Sequence, residues 1–236
     1  MRWFGSSGPA DGSLPRPVPV AGDRPAVFID KDGTLVTEVP DNVEPSLLRF
    51  TPNAFEGLRR LHDAGFALVV VTHQPGIARQ RFTRHAFARL EAALVMQLAG
   101  EGIPVEGFHL CPHASESRPG GACLCRVPAP GLLRQAAIAH RLDLASSWMV
   151  GDMLDDVEAG HRAGCRSVLV DVGHETEWRQ SPLRRPDHRC GDLLAAAEVI
   201  LTAAPRVDDS VGRARSRAAP PRLGFSRLAA AWHGAP

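Results

Sequence analysis

The sequence predicts an α/β fold, a Rossmann-like doubly wound parallel sheet, and three observations carry that expectation. Short apolar runs recur along the chain, and each stops at a polar residue. Segments with helical spacing alternate with those runs, the order expected when helices cover both faces of a parallel sheet. One compact loop holds Cys111, His113, Cys123 and Cys125, a set suited to zinc, so the sheet is expected to carry a zinc-binding loop.

The elements follow in chain order. Residues 1–24 are rich in Gly, Pro and Ser and have no period, which predicts a flexible leader. Ala26 to Ile29 is a short apolar run ending at Asp30, a buried strand. Thr51-Pro52 has the form of an N-cap followed by Pro at the first helical position, with Gly65 closing that helix. Phe66 to Val71 is a second buried strand. Thr83 opens a longer helix, with Phe87, Leu90, Leu94 and Leu98 at helical spacing and Gly100 at its end. After the cysteine loop come a helix from Gly131 to about Leu142, a strand from Ser147 to Val150, a helix from Asp155 to Ala163, a strand from Ser167 to Val170, and a helix from Asp192 to Leu201. Residues 25–203 form the expected domain. Residues 204–236 are Arg-, Ala- and Pro-rich, and a disordered, solvated tail is expected there.

Composition narrows the function classes. The chain has 236 residues, 44% hydrophobic and 22% charged, enough for one well-buried core plus tails. A net charge of +1 gives no global field for nucleic acid or membrane, and neither is expected as a partner. No apolar run is long enough to span a bilayer. The N-terminus lacks the apolar core of a secretory signal, so a cytoplasmic location is expected; a monomer is expected as well. Five cysteines, three of them in one loop with a histidine, read as metal ligands and not as a disulfide framework. Cys165 and Cys190 lie outside that set and read as small buried residues.

Two clusters carry chemistry. Asp30 and Asp32, then Thr72, then Asp152 and Asp156 fall at the ends of three predicted strands, where open parallel sheets bind ligands. Converging carboxylates repel one another, and a hard divalent cation such as magnesium resolves that repulsion. Gly33 lets backbone approach a ligand closely, and its turn can present N–H groups to phosphate oxygens. Taken alone, Asp30-Lys31-Asp32-Gly33 is also what an ordinary turn contains; the strand before it and the two later elements argue for a site. In the cysteine loop, three thiolates and an imidazole complete a tetrahedral set with no position left for water, which points to a structural role. Such a site can supply on the order of 10 kcal/mol toward ordering its surroundings.

Phe28-Ile29-Asp30-Lys31-Asp32-Gly33-Thr34-Leu35 resembles the first motif of the haloacid dehalogenase-like phosphatases. That resemblance implies a magnesium-dependent phosphatase. In it Asp30 would attack phosphorus, Asp32 would act as acid and then base, and Thr72 would hold the phosphoryl group. Asp30, Asp32 and Asp152 would bind Mg2+, with Asp156 in support. Cys111-Pro112-His113 followed by Cys123-Leu124-Cys125-Arg126, together with Val69 to Arg79 and Ser147 to Asp152, resembles the branch of D-glycero-D-manno-heptose 1,7-bisphosphate 7-phosphatases. Histidinol-phosphatases are near relatives. The resemblance covers roughly residues 25–202. It implies a phosphorylated-sugar substrate, bound through Thr72, His73, Gln74 and Arg126, and Zn2+ on Cys111, His113, Cys123 and Cys125. A histidinol or other small phosphate ester is the alternative, and a weakly active ligand-binding homologue a further one.

The chain departs from that branch where charge matters. Val127 and Met153 stand where the branch has lysines, and His73 and Pro75 stand where it has Asn and Ser. Glu38-Val39-Pro40-Asp41 replaces a Gly-Tyr-Val segment. Losing one preorganised donor of the lysine kind typically costs about 10² to 10³ in rate. Arg126, Arg79 and Arg81 could clamp a phosphate instead. His73 could donate if protonated, or could be a neutral ring satisfied by backbone. Side-chain alternation in an extended segment directs the Lys31 ammonium away from its neighbours, leaving its backbone N–H the better placed donor.

Overall fold

A computed structural model describes residues 24–114 and 123–203. The leader and tail expectations fall on residues 1–23 and 204–236, outside the described residues. Arg24, the last residue of the expected leader, is bound in: its carbonyl accepts from Asp143 N at 2.8 Å, and its side chain pairs with Glu106 at 2.9 Å.

Six parallel strands form one sheet in the order β3-β2-β1-β4-β5-β6. They are β1 Ala26–Asp30, β2 Ala67–His73, β3 Gly107–Cys111, β4 Trp148–Gly151, β5 Arg166–Val170 and β6 His188–Cys190. The helices are α1 Ala54–Asp63, α2 Arg84–Gly100, α3 Gly131–His140, α4 Leu154–Ala163 and α5 Leu193–Ala203. Strands β1, β2, β4 and β5 are buried on both faces, which is why each reads as a continuous apolar run. Phe28, Val69, Val71 and Met149 pack against Leu133, Ala136 and Ala137 of α3. On the opposite face the Phe87 ring of α2 meets Phe108 of β3 at 6.1 Å. No described helix is long and apolar enough to cross a membrane.

Local rules explain most element ends. Thr83 caps α2, its hydroxyl accepting from Ala86 N at 3.1 Å. Gly164, at φ +100°, closes α4 in the left-handed region that favours glycine. The start of α1 differs from expectation. The helix begins at Ala54 after a left-handed Asn53, because the Thr51 hydroxyl instead donates to the Thr34 carbonyl at 2.7 Å, tying the first motif's loop down. Strands β3 and β6 were not expected. Both are edge strands carrying polar residues, and their partners β2 and β5 fix them.

The strand order reverses between β1 and β4, and in such sheets the crevice at that point receives ligands. Asp30 ends β1, and Asp152 follows β4.

Candidate active site

Each acidic residue is delivered by a strand end. Asp30 and Thr72 lie at the C-terminal ends of adjacent β1 and β2, while Asp152 and Asp156 follow β4. The chain turns sharply after Asp30. Gly33 N donates to Val36 O at 2.8 Å, and Leu35 N and Val36 N donate back to Lys31 O at 3.1 and 2.9 Å. Gly33 sits at φ +84°, and a Cβ there would collide with the Asp152 carboxylate. Asp30, Asp32, Thr72, His73, Asp152 and Asp156 line one cavity of about 410 Å³, with Val127 and Met153 also on its wall.

The carboxylates have distinct supports. Asp152 accepts from Thr34 Oγ1 at 2.9 Å, and its other oxygen lies 2.7 Å from His174 Nδ1. Asp156 is buried and accepts from Met153 N at 3.2 Å at the start of α4. Asp32 is held from two sides, by the Lys31 ammonium on one oxygen and Gln74 Nε2 at 2.7 Å on the other. Gln74 Nε2 also donates to Thr72 Oγ1 at 2.9 Å, linking the first and second motifs. Burial, then the Asp156, Asp32 and Asp152 charges, push Asp30 well above the usual carboxylate range, opposed by Lys31. Burial and the Asp152 charge push Asp156 the same way. Several hard oxygen donors that repel one another this strongly fit a magnesium ion.

The expectation for Lys31 is corrected. Its side chain is 3% exposed, lies 5.9 Å from the Phe87 ring centroid, and turns its ammonium onto Asp32. The alternation argument fails because the chain leaves the extended conformation at Asp30. Gln74 is buried and bonded to Asp32 and Thr72, so its carboxamide faces the Asp32 carboxylate. His174 and Glu175 were not expected. Glu175 is buried, accepts from Leu154 N at 2.9 Å, and so braces the start of α4. Neither residue belongs to a motif, and only the fold brings them to Asp152 and Leu154.

Cys111, His113, Cys123 and Cys125 meet as expected. Their ligand atoms all lie within 4.8 Å of one another. Cys111 Sγ is 3.6 Å from Cys123 Sγ and 3.3 Å from Cys125 Sγ, and His113 Nδ1 is 3.2 Å from Cys125 Sγ. These separations are too long for a disulfide and close enough for one metal ion to reach all four ligand atoms. The loop abuts the acidic cavity: Gln74 N donates to Cys111 O at 2.8 Å, and His73 Nε2 lies 2.7 Å from His113 O. Burial lowers the His73 pKa, and the charges of Arg126 and Arg79 lower it further. The bond to the His113 carbonyl opposes that shift and satisfies Nε2 with backbone. Arg126 is half-buried and exerts its charge on both His73 and Asp155.

A second cavity of about 330 Å³ adjoins the first and is lined by Lys31, Arg79 and Arg81. Asp32, Glu38 and His73 line both cavities.

Three comparisons bear on this site. The HAD-hydrolase-like family model matches residues 124–196. D-glycero-beta-D-manno-heptose-1,7-bisphosphate 7-phosphatase of Yersinia pestis is 38% identical over 153 residues, covering 63% of this chain and 81% of that protein. The enzyme of the same name from Escherichia coli (strain K12) is 38% identical over 158 residues, covering 65% and 83%. The crystal structure of D,D-heptose 1,7-bisphosphate phosphatase from B. bronchiseptica, complexed with magnesium and phosphate, superposes with a TM-score of 0.67. It is 31% identical and covers 76% of this chain and 99% of that one.

Proposed function

The chain belongs to the haloacid dehalogenase-like phosphatases, in the branch of the heptose-bisphosphate phosphatases, and from that premise we propose that it removes the 7-phosphate of D-glycero-D-manno-heptose 1,7-bisphosphate through an aspartyl-phosphate. The observation that carries this reading is the convergence of Asp30, Asp32, Thr72 and Asp152 in one cavity at the sheet's reversal point.

Asp30 attacks phosphorus, and the bond from phosphorus to the sugar oxygen breaks. Asp32 gives its proton to that departing oxygen, then takes a proton from the water that opens the aspartyl-phosphate, which releases phosphate and returns Asp30 as the carboxylate and Asp32 as the protonated acid. Thr72 Oγ1 donates to the transferring group, and Gln74 and Lys31 hold the Asp32 carboxylate in place. Asp30, Asp152 and the main-chain carbonyl of Asp32 would hold Mg2+, which would supply charge neutralisation for the phosphoryl group. Cys111, His113, Cys123 and Cys125 would hold Zn2+ in a structural role, and the ion would order the loop that carries Arg126 and Val127. The second cavity, with Arg79 and Arg81, suits the distal phosphate of a bisphosphate. The reading includes a cytoplasmic monomer with no nucleic-acid or membrane partner. The apolar side chains of Val127 and Met153 in the cavity wall favour, as a second reading, a less anionic ester such as histidinol phosphate.

The test is phosphate release from heptose 1,7-bisphosphate, histidinol phosphate and simple sugar phosphates, with and without magnesium, beside Asp30→Asn. Magnesium-dependent release that disappears in the variant and prefers the heptose bisphosphate is expected. Equal release by wild type and variant overturns the covalent mechanism.

A further inference from the structure

We propose that His109 and His140 form a further metal site, one that takes a transition-metal dication such as Ni2+ or Zn2+ and clamps the outer edge of the sheet to α3. The inference goes beyond the phosphatase reading and does not depend on it. The two side chains come from different elements and meet at their tips. His109 lies in edge strand β3, and His140 is the last residue of α3. Their Nε2 atoms are 3.2 Å apart, with the ring planes at 89°. Bonds of about 2.0–2.1 Å to one ion put two nitrogens about 2.8 to 3.4 Å apart, from right-angled to tetrahedral coordination. The pair already has that separation. Its alternative is a lone N–H···N bond, which binds no metal. Gly107, on the same strand, makes room for the meeting point. A Cβ there would come within 2.5 Å of His140 Nε2 and 3.0 Å of His109 Nε2.

The surroundings favour a cation. His140 Nδ1 lies 3.9 Å from Glu106 Oε1, while Arg24 takes Glu106 Oε2 at 2.9 Å. A carboxylate behind a metal-binding imidazole is its usual outer partner, orienting the ring and raising its basicity. The C-terminal end of a helix also carries partial negative charge, and His140 ends α3. Two imidazoles suit nickel, zinc and copper, whereas magnesium wants oxygen. Two protein ligands leave the remaining positions to water, so the ion is held more loosely than one in a closed set of four. Neither ring belongs to the group of Cys111, His113, Cys123 and Cys125. The outer partners also point away from the acidic cavity. Arg24 precedes β1 and Glu106 precedes β3, at the end of the sheet opposite Asp30.

The probe is Ni2+ alone, added to the full zinc-loaded chain in excess magnesium and followed by calorimetry and by amide NMR. Nickel is paramagnetic, and we expect it to broaden first the signals of Glu106, Gly107, Phe108, His140 and Arg141. Its affinity should fall about tenfold or more in His109→Gln and in His140→Gln, and about tenfold in Glu106→Gln, the cost usual for an outer partner. Magnesium-dependent phosphate release should be the same in all three variants as in the wild type. The broadening is read on the wild-type chain, so it tests the site even if a variant folds poorly. Broadening confined to the acidic cavity or the cysteine loop, or equal nickel affinity in the wild type and both histidine variants, overturns the site.

Discussion

Magnesium binding should be coupled to proton release, and the coupling should come from Asp30. Its carboxyl is buried among Asp156, Asp32 and Asp152, with Lys31 as the opposing charge, and is held well above the usual carboxylate range. A metal ligand must be ionised, so an ion entering this site displaces the proton that Asp30 retains. One proton displaced per ion means that affinity climbs about tenfold per pH unit below the folded-state pKa of Asp30 and levels off above it. The sign for stability follows the same logic. A carboxyl whose pKa is raised on folding contributes stability that is full below its unfolded value and is lost as pH rises through the folded one. Metal-free protein should therefore lose that contribution on the alkaline side of the window, and magnesium should restore it. The assay is calorimetric titration of magnesium in two buffers of different ionisation heat, from about pH 5 to about pH 8, with melting temperatures followed in parallel. Asp156→Asn removes the largest charge acting on Asp30 and should shift the window to lower pH. Binding heats that match in both buffers, with affinity flat across the range, would refute the reasoning.

Three further outcomes are expected. Purified protein should hold about one zinc per chain, and its removal by a chelator should lower the melting temperature markedly, since a closed site of this kind contributes on the order of 10 kcal/mol; identical melting with and without metal would count against the site. Gln74→Leu removes the 2.7 Å bond to Asp32 and the 2.9 Å bond to Thr72. A bond to a charged group is worth about 1.5–3 kcal/mol, so kcat should fall roughly tenfold to a hundredfold with magnesium affinity little changed, and an unaltered kcat would remove Gln74 from the argument. Val127→Lys places an ammonium on the cavity wall and should raise turnover, by up to about 10² to 10³; no gain in steady-state rate would mean that charge at this wall does not limit the reaction.

What could be read from the sequence was what is encoded locally. The central strands were legible because helices on both faces make every residue of Val69 to Val71 or Ala26 to Ile29 apolar. The acidic residues were legible because a sheet's strand ends present them in a short pattern. Edge strands β3 and β6 were not, since His109 and Arg189 are acceptable there and the pairing with β2 and β5 decides. Thr51 shows the same limit from the other side. Its hydroxyl had a good local use as a helix cap and a better distant one on the Thr34 carbonyl. His174 reaches Asp152 across 22 positions of sequence, a contact that only the β4–β5 crossover creates. The Lys31 ammonium escapes side-chain alternation because Asp30 to Asp32 is not one extended segment: the turn begins inside it.

The departures at Val127 and Met153 acquire their meaning from what the nearby basic side chains touch. Lys31 lies on Asp32, and His174 on Asp152. Arg126 sits where its charge acts on His73 and Asp155, beside the cavity wall that Val127 occupies. Each of these groups thus stabilises or orients a protein carboxylate or ring. In the proposed mechanism the phosphoryl group then relies on the metal ion, on the Thr72 hydroxyl and on donors of the turn after Asp30. Those carboxylates repel the incoming phosphate as well as one another, as the raised Asp30 carboxyl records. With the Lys31 ammonium held on Asp32 and no lysine at positions 127 and 153, phosphate-ester binding in this chain should be more tightly tied to magnesium occupancy than in a site where a further lysine shares the charge. Restoring a lysine at position 127 should loosen that dependence as well as raise the rate.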